Sequence, residues 1–423
     1  VLFTFKPSIG NYSMKNYWPY LVSFLFVLLI YGIHMLPVSD SMLNENNTEL
    51  SNVFLASQIR YHQEFAPFAR RPLTSLLIEG SSGIFGITLG ESFVLVNLLL
   101  LFFSGLLVYI LSIALNSSKT QAIFNQVSYF LTFSILFAFF PPVFSYDEPL
   151  QYCLIMLGIL TLIREKWLYY IPIFLLAIIA RESTVFLMPG LAIIFSGFSL
   201  KAKNMWSMSV KRKLLLLFVP LPLYVIYLGI FLWTTDIWKE TSEVAANRLS
   251  CYFQNFGTYA SSVESIVSFF LVLGPGLYFL YMSNKPKVFT ALEKNYVQAF
   301  LLAVVINTPI VMVAALARET RLYALPLIFL WPIAGQLFGK ELLSLLRVRV
   351  YLSGLKDWRF LLLLGFSFYI NYLVSFKIYV PSFPSKDNFF NEYLFILLFI
   401  VSVHFLINIF DKLYLKKDQV GKG

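Results

Sequence analysis

Apolar runs of roughly 20 residues recur along this chain, from "WPYLVSFLFVLLIYGI" at 18–33 to "YLFILLFIVSVHFLINIF" at 393–410. A helix rises about 1.5 Å per residue, so runs of this length are suited to crossing a hydrocarbon layer about 30 Å thick. Inside a bilayer the backbone must satisfy its own hydrogen bonds, which leaves helices or a closed barrel. Barrel strands would be about ten residues long and alternate in polarity. The runs here do neither. Charged residues are 13% of the chain, against about a quarter in a soluble domain. The fold class that follows is an all-α polytopic membrane protein.

Twelve spans are predicted, near 17–36, 93–115, 123–140, 149–163, 167–180, 184–198, 214–234, 265–282, 296–317, 322–338, 359–380 and 392–410. With the N-terminus inside, the inner segments hold 22 of the 32 Lys and Arg residues. Basic residues collect on the cytoplasmic side, so both termini are expected in the cytoplasm. That pattern, with anionic lipid as the partner, accounts for the net charge of +10 and argues against a nucleic-acid role. Acidic residues run the other way. Six of the 22 fall inside and 16 outside. Acids contribute little to topology, so their outer enrichment points to chemistry on the outer face.

The whole of 1–423 reads as one membrane domain with mostly short loops. Two outer segments are longer, 37–92 and 235–264. In the first, apolar positions 50, 53, 54 and 61 approximate a helical face. "RRPLTSLLIEGSSGIFGI" at 70–87 places Pro72 where a helix starts. Both are expected as amphipathic helices lying along the outer membrane surface. The 18% aromatic content gathers at span ends, as in an interfacial belt. Cys153 and Cys251 read as unrelated thiols rather than a disulfide framework. His34 and His404 in spans and His62 in the loop have no metal-ligand spacing, and all three read as core or interfacial residues rather than metal ligands. Residues 1–36 read as a retained first span rather than a signal peptide, because "HMLPVSD" lacks a small-residue cleavage site.

Four groups of ionisable residues stand at predicted outer span ends: Asp40; Arg70 and Arg71; Asp147 and Glu148; and two Ala-Arg-Glu motifs. The motifs are "ARESTVFLMP" at 180–189 and "ARETRLYALP" at 317–326. They carry Arg181, Glu182, Arg318, Glu319 and Arg321. Charges at membrane depth are costly and are usually paired or functional. The plain alternative is that Glu182 and Glu319 favour helix dipoles and the arginines snorkel to headgroups. Asp147 and Glu148 ahead of Pro149 fit either a helix cap or, with Asp40, a divalent cation site.

The order of Asp after span one, a loop with "RRPL", Asp-Glu-Pro before span four and the two "ARE" motifs resembles the GT-C superfamily over residues 17–338. These are polytopic glycosyltransferases that use polyprenyl-phosphate-linked sugars. The basic inner loop and two spans of 339–423 add nothing to the resemblance. It implies a GT-C-like fold in a bacterial cytoplasmic membrane, with sugar transfer to a glycan, lipid or protein acceptor on the outer face. An endoplasmic-reticulum location would share that topology. It further implies Asp40 as the base that takes the proton of the attacking hydroxyl. Arg71, Arg181, Arg318 and Arg321 would bind the departing lipid phosphate through their forks. Asp147, Glu148, Glu182 and Glu319 would orient them or assist a metal. Many members carry a second acid beside the first-loop Asp; here the residues are Ser39-Asp40-Ser41. A non-catalytic GT-C-like subunit of a membrane assembly is the first rival. A transporter or lipid flippase is the second, hinted at by Asn307 and Pro309 in span nine.

Overall fold

The computed structural model describes residues 17–35, 52–138, 145–196, 208–235, 242–243, 247–284, 289–345, 354–379 and 390–410. Every regular element among them is helical. In chain order, α1 is Trp18–Met35, α2 Asn52–Glu64, α3 Ala66–Ala69, α4 Pro72–Phe85, α5 Leu89–Ala114 and α6 Lys119–Phe130. Next come α7 Phe133–Leu136, α8 Glu148–Ile163, α9 Trp167–Ala180, α10 Met188–Phe195, α11 Met208–Phe218 and α12 Pro220–Thr235. The last are α13 Cys251–Phe256, α14 Tyr259–Asn284, α15 Ala291–Ala314, α16 Ala334–Ser344, α17 Trp358–Tyr372 and α18 Phe390–Phe410.

Among these residues, six helical stretches are long and apolar enough to cross a membrane: α5, the continuous 208–235, α14, α15, 358–378 and α18. The other predicted spans are shorter or broken. The 123–140 run is the clearest departure from expectation. It divides into α6 and α7, with Thr132 between them returning its hydroxyl to the Ser128 carbonyl at 3.1 Å. The 322–338 run is a series of 3-10 turns over Thr320–Tyr323, Leu325–Phe329 and Trp331–Ile333 before α16 begins. Pro326 and Pro332 remove two amide donors from this stretch.

Buried amides repair the breaks. Asn125 of α6 donates to the Pro332 carbonyl at 2.7 Å and accepts from the Gly335 amide at 2.6 Å. Gln126 donates to the Pro19 carbonyl at 2.8 Å and so holds the start of α1. Asn307 donates to the Leu322 carbonyl at 2.8 Å. The polar residue that hinted at a transporter therefore stabilises an irregular turn. Helix starts follow their local sequence. Thr88 with Glu91, Ser118 with Gln121 and Thr290 with Glu293 form capping boxes at α5, α6 and α15.

The described part of the 37–92 segment, from residue 52 on, is largely helical as expected, with Pro72 in the opening turn of α4 and Gly86 ending it at φ 65°. The packing of α4 is inverted. Thr74, Ser75 and Ile78 face inward, while Leu76, Leu77, Ile84 and Phe85 are exposed. At about 21 Å this helix is too short to span. Its exposed apolar side suits lipid contact, and its polar side faces the charged groups described next. Both cysteines are free thiols.

Candidate functional site

Charged side chains from four separated parts of the chain meet at one end of the bundle. The α3–α4 turn brings Arg70 and Arg71, where Pro72 fixes the start of the next helix. The N-terminus of α8 brings Asp147 and Glu148. Where α9 ends, the chain turns to an extended conformation at Arg181, φ −163°, and presents Arg181 and Glu182. The first 3-10 turn after α15 brings Glu319 and Arg321.

Two linked chains of contacts result. Glu182 receives Arg70 on one oxygen. It receives the Nε and Nη2 of Arg71 on the other, at 2.8 and 2.6 Å. Arg71 also faces Asp147 at 3.9 Å. In the second chain, Arg181 pairs with Glu148, whose same oxygen lies 3.4 Å from the Nε of Arg321. Arg321 Nη2 reaches Glu319 at 2.7 Å. Glu148 is further held by the Tyr146 amide at 3.1 Å.

Asp147 and Glu148 are both only 2% exposed. Such groups survive burial only when paired. The helix-cap alternative is not what the structure contains, since Asp147 makes no side-chain cap at α8. One Asp147 oxygen has no hydrogen-bond partner. Burial pushes its carboxyl up to about 6, against the pull of Arg71 and Arg181. Burial also opposes the Arg71 charge, but Glu182 and Asp147 outweigh it and hold the guanidinium above its usual value.

No family model, no curated protein and no solved structure matches the chain.

Of the residues singled out from sequence, Arg71, Arg181, Arg321, Asp147, Glu148, Glu182 and Glu319 are brought together. Arg318 is not. It is exposed and lines a small polar hollow with Gln254, Ser261 and Glu264, while its backbone carbonyl accepts from Ser268 at 3.3 Å. Asp40 lies outside the described residues. Arg70, grouped with Arg71 in the sequence, proves to share Glu182 with it.

Tyr146, and the place of His62 beside the charged cluster, were not anticipated. His62 stacks on Tyr146 at 3.7 Å between ring centroids and on Phe68 at 4.7 Å. Its Nδ1 lies 3.9 Å from Asp147. Burial, then Arg321, Arg71 and Arg181, drive its pKa down to about 3, so at neutral pH the contact is not an ion pair. Tyr146 shares a 2.8 Å hydrogen bond with Ser75 on the polar side of α4. A signal for His62 existed. Leu55, Ile59 and His62 share one helical face, and the first two are fully buried.

A divalent cation does not fit the described part of this cluster. Asp147 and Glu148 already face arginines. Among the described residues no three His, Cys, Asp or Glu groups converge in a metal-binding arrangement. What the arrangement offers is a set of guanidinium forks in a low-dielectric setting, each matched by a carboxylate. Fork geometry suits carboxylate and phosphate alike.

Proposed function

We propose that this protein is a GT-C-like glycosyltransferase that takes a sugar from a polyprenyl-phosphate carrier. The acceptor is a hydroxyl of a glycan, lipid or protein. The reaction takes place on the outer face of a bacterial cytoplasmic membrane, with both chain termini in the cytoplasm. One observation carries this reading: Arg70, Arg71, Arg181 and Arg321 gather with four acids at one end of a membrane-type helical bundle. An amphiphilic donor requires that placement. Its prenyl chain stays in lipid, its phosphate sits near the interface and its sugar reaches water.

In the transfer, the acceptor oxygen bonds to the anomeric carbon as the bond from that carbon to the phosphate oxygen breaks. The bonding pair leaves on the phosphate, where arginine forks stabilise the added charge. Asp40 takes the acceptor proton. The arginines are matched by carboxylates in the resting arrangement, so an arriving phosphate must displace some of those contacts. Asp147, with its carboxyl raised to about 6 by burial, can take up a proton to accommodate the incoming charge.

The same pairing favours a second reading, a non-catalytic subunit whose charges hold its helices in place. One experiment separates the two. Purified protein is incubated with a short-chain prenyl-phosphate sugar and membrane acceptors, and release of prenyl phosphate is followed. Turnover should fall by about 10² to 10⁴ in Asp40→Asn while donor binding persists. Absence of wild-type turnover, or turnover untouched by Asp40→Asn, would favour the subunit reading or remove Asp40 from the mechanism.

A further inference from the structure

The Arg70–Arg71–Glu182 side of the charged cluster carries two polar groups that its ion pairs leave unused. The first is Tyr224 of α12. Its neighbour one turn on, Tyr227, donates to the Arg70 carbonyl at 2.9 Å and so fixes α12 against the α3–α4 turn. Tyr224 and Tyr227 share a helical face, with ring centroids 6.1 Å apart. Tyr224 is only 7% exposed, and its hydroxyl has no hydrogen-bond partner among the described residues. The charges of Glu182, Arg70 and Arg71 all act on it. A buried hydroxyl left without a partner is costly, so the place calls for an occupant.

The second group is Arg248. It opens a 3-10 turn, Arg248–Ser250, that runs directly into α13. That helix is pinned to the end of α15. Buried Asn255 donates to the Met312 and Ala315 carbonyls at 2.9 and 2.7 Å and accepts from the Ala317 amide at 2.9 Å. The clamp fixes the segment on which Arg248 stands. Arg248 is exposed, and among the described residues no carboxylate pairs with it. Desolvation, then repulsion by Arg70 and Arg71, holds its guanidinium below its usual value, while Glu182 acts against them. An anion placed among these three arginines relieves that repulsion.

The charge balance points the same way. Arg70, Arg71, Arg181 and Arg321 face the four acids Asp147, Glu148, Glu182 and Glu319. Arg248 is a fifth cation with no acid of its own, so the site holds one positive charge in excess. A guanidinium fork and a phenol hydroxyl both donate, and a phosphate accepts from both. A cation would meet three arginines here, and a neutral sugar would leave the excess charge standing. The surroundings are apolar. Leu249 and Phe253 beyond Arg248, and Val225 and Ile226 beside Tyr224, are exposed. Exposed apolar side chains flanking a cationic group suit an amphiphile at a membrane interface.

We propose that Arg248 and Tyr224, beside Arg70 and Arg71, form a seat for the phosphate of a membrane amphiphile. For the identity of that lipid, a prenyl phosphate, this rests on the carrier reading above; the seat itself does not.

The test uses purified full-length protein in mild detergent, titrated with a short-chain prenyl phosphate and, separately, with a short-chain phosphatidylglycerol. Wild type is compared with Arg248→Gln, Tyr224→Phe and Arg60→Gln. Arg60 of α2 is also exposed and is the charge-matched control. Arg248→Gln should weaken prenyl phosphate binding about tenfold or more, the worth of one charge-assisted hydrogen bond. Tyr224→Phe should weaken it about fivefold. Its unfolding temperature without ligand should hold, because the oxygen removed has no partner in the fold. Arg60→Gln should bind as wild type. Binding of phosphatidylglycerol but not prenyl phosphate, with the same dependence on Arg248 and Tyr224, would keep the seat and remove the carrier reading. Undiminished prenyl phosphate binding in both Arg248→Gln and Tyr224→Phe would do the reverse. Binding of neither probe to wild type, or equal losses in Arg60→Gln and Arg248→Gln, also overturns the seat. A clear fall in the unfolding temperature of Tyr224→Phe would give that hydroxyl a structural role and overturn its part.

Discussion

Arg181 and Arg318 occupy the same place in two near-identical motifs, yet their surroundings are opposite. Arg181 is nearly enclosed and pairs with buried Glu148, whereas Arg318 is exposed. The motif spacing is visible in the sequence; the difference in environment is not. It is set by which side chain of each motif meets Glu148, Arg181 in the first and Arg321 rather than Arg318 in the second. Removing one partner of a buried pair leaves the other charge uncompensated, at a cost of about 3–5 kcal/mol. Arg181→Gln should therefore lower stability on that order, while Arg318→Gln stays within about 0.5 kcal/mol. Thermal unfolding of both variants in one detergent checks this. Equal, small shifts would mean that the Arg181–Glu148 contact contributes little.

Among the elements, the start of α4 at Pro72 was legible, because proline in a first turn acts locally. The capping boxes at Thr88, Ser118 and Thr290 went unread, so α5, α6 and α15 begin at 89, 119 and 291 rather than at the expected 93, 123 and 296. Helix continuity in 123–140 and 322–338 was not legible either. Apolar periodicity says that a segment is buried. It does not say whether Asn125 or Thr132 will satisfy carbonyls freed by an interruption. The helix α2 shows how a partly legible element is tied to the candidate site. It docks through His62, stacked on Tyr146 with its pKa lowered from 6.5 to about 3. The docked state thus refuses a proton that the undocked state accepts. This contribution is fully present above about pH 6.5 and is lost as pH falls toward 3. His62→Phe keeps a stacking ring that does not titrate. Wild type and His62→Phe should have closely similar stability at pH 7. Below pH 6.5 wild type should lose ground to the variant, by at most about 1.4 kcal/mol per pH unit. Parallel stability curves for the two proteins between pH 4 and pH 7 would show that His62 titrates normally.

For the molecule as a whole, an all-helical membrane class follows from run length and backbone satisfaction alone, and six long apolar helices bear it out. The convergence of the charges does not follow from those arguments. It depends on α8 and α9 lying antiparallel and on α15 ending at the same level, so that Glu148, Arg181 and Arg321 come within contact. Which side of the membrane that end faces is a separate question, and charge distribution answers it by expectation. Basic Lys201, Lys203, Lys211, Arg212 and Lys213 precede or open the 208–235 helix, and the acidic residues Asp236, Glu240 and Glu243 follow it. Positive charge is retained inside, so position 208 is expected inside and 243 outside. Met208 and Glu243 are both exposed, Met208 by 82%. In a Cys251→Ser background, Met208→Cys and Glu243→Cys are treated in intact cells with a thiol reagent that does not cross membranes. Glu243→Cys should react and Met208→Cys should react only after permeabilisation. The α11–α12 stretch runs from 208 to 235, and the Tyr227 hydroxyl on α12 donates to the Arg70 carbonyl at 2.9 Å. The 235 end of that stretch and the charged cluster therefore share a side. Reversed labelling would turn the cluster toward the cytoplasm, where the attacking group and the sugar of an outer-face transferase could not meet it.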